Sequence, residues 1–435
     1  MVKIASQLWV RSWLRQVGLG GTALLLSCQG ADMPIVDELP PGPCQAQGIT
    51  EKSRFPSGDA TGHRDPLGAK AAKQARAGRI TDPAWIRQPE SARHSVREGD
   101  FLLINDKIAA YIEAKGVSDG YQPFGGEILA LDTVGSDGKP AGKSLYGETI
   151  MALSRQVLSP DSVTVLSDGS DGKAAVIRAS GVLKNLPFLE FLGGVLNEEF
   201  NFPIAFDYIL EPGAESVKLR IHLMNFHAED LPLYRHQLFV LFHTSRSQMF
   251  SASRGYGDLD GDQDWVGFDS GDSSFALRPL SGPFTPLLGR SGSVIIQGSG
   301  LNVKACETLS TDYVEFIVGG PHSDGLGESL RRVLKQPAWR AVTGTVQDGA
   351  TAVQAGAWVH AVKPDGTYLG RTKTSERGEF TIHLPSEPVQ LIATQYAQPP
   401  STPKTALPTD TQASLRLDTV GTLSVTATDK ASGVA

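Results

Sequence analysis

The sequence predicts an all-β protein, with a large antiparallel domain followed by a small β-sandwich and one short helix between them. Three observations predict it. The 435 residues include 47 Gly and 27 Pro, which favours many turns. Apolar runs of strand length recur at short intervals, separated by Asp, Gly and Pro. Residues 217–224 alternate, with Val217, Leu219, Ile221 and Leu223 set against Lys218, Arg220, His222 and Met224, as in a strand with one wet face. A hydrophobic content of 40% is enough for packed cores, and the length suits about two to four domains. The net charge of -7 provides no cationic field for phosphates, so no nucleic-acid partner is expected.

Residues 1–27 read as a leader. Lys3, Arg11 and Arg15 precede an apolar stretch at 17–26, too short for the roughly 20 residues of a membrane span. The stretch ends in Leu25-Leu26-Ser27-Cys28, which resembles the bacterial lipobox. That resemblance implies cleavage before Cys28, lipid on its thioether and amine, and a mature protein held on a membrane by acyl chains. Gln29 stands where an Asp would signal inner-membrane retention, so the expected location is the cell envelope, at the outer membrane. Residues 28–98, rich in Gly, Pro, Lys, Arg, Ala and Ser, read as a tether with a short helix near 69–77. Cys44 and Cys306 are the other two cysteines; an oxidising envelope permits a disulfide between them, and free thiols are the alternative.

Residues 99–339 form the large β-rich domain. It opens with a hairpin, 101–104 and 108–112 around Asn105-Asp106-Lys107. Further strands are expected at 127–131, 162–166, 174–180, 204–210, 217–225, 237–242, 294–297 and 313–318. Near the end, Asp324 can cap a helix carrying Leu326, Leu330, Val333 and Leu334, stopped by Pro337 and packed across a sheet edge.

Residues 340–397 carry Gly344-x-Val346, Ala357-x-Val359 and Gly378-x-Phe380, the last after a polar turn. This pattern resembles the carboxypeptidase regulatory-like domain, which implies a small transthyretin-like β-sandwich without catalysis of its own. Phe380 and Ile382 alternate toward a core that Val346, Trp358 and His360 or their neighbours can share. Residues 398–435 read as a Pro-rich linker and a lone strand, the start of a truncated module or a strand paired back onto an earlier one.

In the large domain, Ser180-Gly181-Val182-Leu183, then Phe206 through Pro212, then 217–225 are similar to the central strands of galactose-mutarotase-like supersandwiches. The resemblance implies a β-supersandwich and, if catalysis occurs, a His acid and a Glu base acting on a sugar, with His243 and Glu315 as the pair. The domain order also resembles the N-terminal accessory part of envelope proteins that end in a PHP-type metallohydrolase; the clustered ligands of that enzyme are missing here.

Asp258, Asp260, Asp262 and Asp264, with Asp269 beyond, place carboxylates at alternate positions that can converge on calcium, the one cofactor the sequence suggests. A solvated acidic turn is the other reading. Arg254, Tyr256 and Trp265 flank the loop and can form a sugar-stacking rim. The sequence therefore points to a lipid-anchored envelope protein with a non-catalytic binding or accessory role toward a glycan or another envelope protein. The alternatives are a carbohydrate-active enzyme of mutarotase-like fold and an orphan accessory half of a metallohydrolase.

Overall fold

The computed structural model describes residues 42–116, 118–153, 156–186, 201–233, 237–242, 247–252, 254–257, 259–290, 292–349 and 351–418, and the chain is all-β apart from short helical turns and a single α-helix among them. Cys28, His236, His243, Asp258 and the lone strand after residue 418 lie outside the described residues.

Four strands, β1 (Ala75–Arg79), β2 (Phe101–Asn105), β3 (Ile108–Ile112) and β4 (Ile128–Thr133), form an antiparallel meander. The following strands are β5 (Glu148–Leu153), β6 (Gln156–Ser167), β7 (Ala175–Asn185), β8 (Pro203–Leu210), β9 (Ser216–Met224), β10 (Leu231–Leu233), β11 (Gln237–Phe242) and β12 (Gln248–Ser251). After them come β13 (Gly255–Tyr256), β14 (Val266–Asp269), β15 (Ser274–Pro279), β16 (Thr285–Arg290), β17 (Ser293–Gly298), β18 (Leu301–Val303) and β19 (Thr308–Gly319). Strands β10 and β18 pair with each other, and the rest make a sheet of thirteen strands in the order β13-β12-β14-β15-β19-β9-β8-β7-β6-β5-β11-β17-β16.

The main core lies between the two sheets. Phe101, Leu103, Ile108 and Ala110 of the meander meet Ile177, Phe206, Leu219, Ile221 and Phe316 of the large sheet. In β9 the alternation is as expected, with the odd-numbered residues 217–223 buried. Strands β2 and β3 are buried at every position because their other face packs against Leu67, Ile80, Val96 and Trp85.

That second layer corrects the tether reading. Described residues 42–98 are part of the body: the stretch expected to be helical runs into β1, paired with β2, and Asp59 bridges to Val165. The Tyr111 hydroxyl, fully buried, donates to the Trp85 carbonyl at 2.8 Å and accepts from the Arg87 N–H at 3.1 Å. At the start of the described chain Cys44 is joined to Cys306 by a disulfide, with Cα atoms 5.0 Å apart.

Helix α1 (His322–Val333) packs on a sheet face, with Leu326 and Leu330 against Ala276, Ile317 and Trp265. Gly319 permits the approach, since a Cβ there would lie 2.5 Å from the Leu326 Cα. Asp324 does not cap the helix, whose N-cap is Pro321; its carboxylate bonds to His383 instead.

The C-terminal module is a two-sheet sandwich of β20 (Arg340–Gln347), β21 (Trp358–Val362), β22 (Tyr368–Lys373), β23 (Glu379–Leu384), β24 (Val389–Thr394), β25 (Lys404–Ala406) and β26 (Gln412–Arg416). The sheets run β23-β20-β26 and β22-β21-β24-β25, with β26 parallel to β20. Val342, Val346, Phe380, Ile382, Leu391 and Leu415 fill its core. Gly344 is required there, because a Cβ would lie 1.8 Å from the Ala413 carbonyl oxygen. Trp358 and His360 turn away from this core: Trp358 packs on His322, and His360 bonds to Tyr368 and Thr394.

The disulfide closes a sequence separation of 262 residues. Cys306→Ser should lower unfolding stability by about 2–5 kcal/mol, the usual range for a native disulfide. Denaturant unfolding with and without reductant checks this, and the reduced wild type should match the variant.

Candidate functional site: a polar cleft between helix and sandwich

One arginine stands at the centre of the joint between the sandwich and the large domain. Arg371, on β22, places its guanidinium carbon 4.0 Å from the Tyr256 ring centroid and 3.9 Å from that of Trp358. Its Nε donates to Asp269 Oδ2 at 3.0 Å, its Nη2 donates to Gln248, and its backbone N–H donates to Ser323 Oγ at 2.9 Å. Asp269 is 2% exposed; it also accepts from the Tyr256 hydroxyl and lies 3.3 Å from His322 Nδ1. Burial works to raise the Asp269 pKa, but the His322 and Tyr256 hydrogen bonds and the Arg371 charge hold it below the usual carboxylate range. Beside this centre, Asp324 accepts from the His383 backbone N–H at 2.9 Å and pairs with His383 Nδ1 at 2.8 Å, which raises the histidine above its ordinary value.

Between α1 and the sandwich a cleft of about 950 Å³ remains. Its floor is one face of the β23-β20-β26 sheet, where hydroxyl and amide groups alternate along the strands beside Glu379 and His383. Thr343 stands opposite Thr381 on one side and Gln412 on the other, and Thr345 stands opposite Ser414. Thr372, Lys373 and Ser375 form one wall, and His322, Asp324 and Gly325 of α1 the other. The alternation of strand side chains places these groups side by side. Such a surface can donate and accept hydrogen bonds along its length, between apolar patches supplied by Phe380 and Ala413.

Several expected site residues are placed elsewhere. Asp269 leaves the acidic loop for the Arg371 centre; Asp260 pairs with Arg254 at 3.1 Å, Asp262 accepts from Thr285 at 2.7 Å, and Asp264 is exposed. Among the described residues no group of three His, Cys, Asp or Glu side chains is arranged to hold a metal ion. The sugar-stacking rim is also corrected. Tyr256 is turned into the domain junction and Trp265 onto α1, leaving Arg254 exposed. Glu315 accepts from Ser216 at 2.6 Å and pairs with Arg278 at 3.3 Å. Strand β19, which bears it, lies six strand steps from β11, the strand just before His243.

Two clusters had no signal in the sequence. Asp207 holds Arg178 through two hydrogen bonds of 2.6 and 2.7 Å and His222 at 2.8 Å, while His222 Nδ1 lies 2.8 Å from Ser310 Oγ. Burial opposes ionisation of Asp207, but Arg178 and His222 hold it below the usual range, and the Phe55 ring packs on the imidazole. This arrangement clamps the segment around Phe55 to the large sheet. The second cluster is a buried carboxyl group under the β3–β4 loop.

Fold and cleft together define a two-module all-β protein with a polar groove at the module junction. No family model matches the chain, and no curated protein matches it. Among solved structures it is similar to a TPR-domain containing protein from Parabacteroides distasonis, at 12% identity over 50% of this chain and 46% of that one, with a TM-score of 0.31. It is also similar to Slr1438 from Synechocystis sp. PCC 6803, at 12% identity over 52% and 97% of the two chains, with a TM-score of 0.30. A GH36 α-galactosidase from Geobacillus stearothermophilus matches at 10% identity over 55% and 37%, with a TM-score of 0.27. The chain thus spans less than half the length of the first and third of these, and likenesses of this size assign no function.

Arg371→Ala leaves Asp269 buried without its cation and should cost roughly 3–5 kcal/mol. Calorimetry should then resolve separate transitions for the two modules, and Arg371→Lys should restore the junction only partly, because an ammonium lacks the planar fork. Because the pKa of His383 is raised on docking, its contribution is complete below the ordinary histidine value of about 6.5 and is lost as pH rises through the folded value. Stability measured across this range should fall toward alkaline pH in the wild type, and His383→Gln should remove that part of the slope.

Proposed function

We propose that the protein is a non-catalytic binding protein of the cell envelope, held on a membrane by lipid at Cys28, and that the junction cleft receives a glycan. The observation that carries the ligand reading is the floor of the cleft, where Thr343, Thr345, Thr381, Gln412 and Ser414 are ranked across three strands. A saccharide presents hydroxyls at comparable intervals that can bond to such a row, while its C–H faces can lie on the apolar groups between them. The Cys44–Cys306 disulfide supports the envelope reading, since such bonds persist in oxidising compartments. The rigid junction at Arg371 keeps the two walls of the groove in register, as a static binding platform requires.

The test for the ligand is a glycan array probed with the soluble chain lacking residues 1–28, comparing wild type with the double variant Thr343→Val, Thr381→Val. Removing two hydroxyls at constant shape should weaken binding of the preferred glycan by roughly tenfold or more, at about 1 kcal/mol per hydrogen bond. Binding unchanged by the double variant, or no glycan bound at all, would overturn the reading in favour of a protein ligand. Cys28→Ser should move the full chain from the membrane fraction to the soluble one, and mass spectrometry should find acyl chains on the wild-type cysteine alone.

A further inference from the structure

In the loop between β3 and β4, the described residues 113–116 and 118–127 close over acidic side chains that belong to neither the cleft nor the junction. Its neck is tied by the Glu113 N–H donating to the Glu127 carbonyl at 2.8 Å and the Gly126 N–H donating to the Glu113 carbonyl at 3.2 Å. Its tip is held by Glu148, on β5, whose Oε1 accepts from the N–H groups of Tyr121 and Gln122 at 2.6 and 2.9 Å. The Tyr208 hydroxyl of β8 donates to the Gly126 carbonyl at 2.8 Å. Glu113, Glu127 and Glu148 are 6%, 4% and 1% exposed.

Five buried side-chain polar atoms without a well-formed hydrogen bond among the described residues gather here: Glu113 Oε2, both Glu127 oxygens, Glu148 Oε2 and His94 Nε2. The Ser118 hydroxyl reaches toward Glu113 and Glu127 but too weakly to offset burial. Four buried carboxylate oxygens in one place cannot all belong to anions without a neutralising species. Arg93 lies 3.8 Å from Glu148 Oε2 and Arg97 lies 3.2 Å from Asp119, but Glu127 has no ion pair among the described residues. Among the described residues no group of three His, Cys, Asp or Glu side chains is arranged to hold a metal ion, and a proton is the simplest species that neutralises Glu127.

We propose that the β3–β4 loop is a proton-operated latch, closed while Glu127 holds a proton and released when that proton leaves. The groups facing the site are His94, Arg93, Arg97 and Asp100 from the segment before β2, Asp119 on the loop itself, Tyr146 just before β5, Glu148 at its start, and Tyr208 of β8. Burial, followed by the charges of Glu148, Glu113 and Asp119, pushes Glu127 well above the usual range. Burial chiefly pushes Glu113 up to about 7. The sign follows: with folded values raised, the closed loop is favoured below the ordinary glutamate range and loses that support as pH rises through the folded values. Ionised Glu127 then repels Glu148, the residue that anchors the loop tip.

Hydrogen exchange on the full chain tests this through the protection factors of the Tyr121 and Gln122 amides, referenced to amides of β8. Between about pH 6 and about pH 9 the wild type should lose roughly tenfold or more in protection at these two sites, while Glu127→Gln, a mimic of the protonated side chain, should lose none. Protection independent of pH in the wild type, or an equal loss in the variant, would overturn the latch. So would recovery of wild-type protection at alkaline pH on adding calcium chloride, which would assign the site to a cation. If Glu127→Gln does not fold, wild-type tryptic cleavage after the exposed Lys115, normalised to cleavage at a fixed reference site, must rise over the same pH range; a flat profile excludes the latch.

Discussion

Two β modules act as one body here because Arg371 is bound on all sides. A guanidinium removed from water costs several kcal/mol, and attraction to a single carboxylate repays this only when geometry and remaining donors are well satisfied. Asp269 supplies the charge, Gln248 takes a further N–H, and the Tyr256 and Trp358 faces supply the cation–π contacts that a weakly hydrated planar cation favours. The centre draws residues from β12, β13, β14, α1, β21 and β22, so it forms only when both modules are folded and in place. The cleft depends on it in turn: His322 and Asp324 on one wall and Thr372 and Lys373 on the other flank the same contact.

The legible parts of the sequence were those whose structure is decided locally. The hairpin at β2 and β3 was readable from two apolar runs around a polar turn, and β9 from strict alternation. The Gly-x-Val and Gly-x-Phe pattern located the start of the sandwich, because Gly344 meets its constraint within the module, against Ala413 and Phe380. The bound at 397 fell short: residues 404–406 and 412–416 of the expected linker are strands β25 and β26 of the same sandwich, which Pro-rich composition hid. Residues 42–98 were misread because they pack through short turns, one five-residue strand and isolated bridges, none of which imposes a period on the sequence.

The site was illegible for a different reason. Alternate aspartates in a loop look alike whether they converge on a cation or disperse, and only tertiary context separates Asp269, whose cation lies 102 residues further along, from Asp260, whose partner is a neighbour in sequence. Tyr256 and Trp265 gave a correct signal of aromatic density but no indication of which side they face; both pack inward against protein. The hydroxyl face of the cleft was hidden by its ordinariness. Thr and Ser at alternate strand positions are the default for a solvent face, and become a groove only because α1 stands over them.

Buried polar groups in this protein fall into two kinds with opposite consequences. At Asp269 and at Asp207 each carboxylate is matched by an arginine fork and a histidine, so burial is outweighed, the acids stay ionised and the contacts rigidify what they join. At Glu127 burial is not outweighed, because among the described residues no arginine pairs with it and the charges acting on it are those of other acids. The same low dielectric that strengthens the first kind makes the second costly to ionise. The Arg371 cation therefore supports the domain junction over a wide pH range, with the His383–Asp324 pair adding a part that fades toward alkaline pH, whereas the β3–β4 loop depends throughout on a neutralising species that solvent can add or remove. The difference follows from which side chains reach each carboxylate, and it divides the molecule into a platform that holds shape and a loop that can respond.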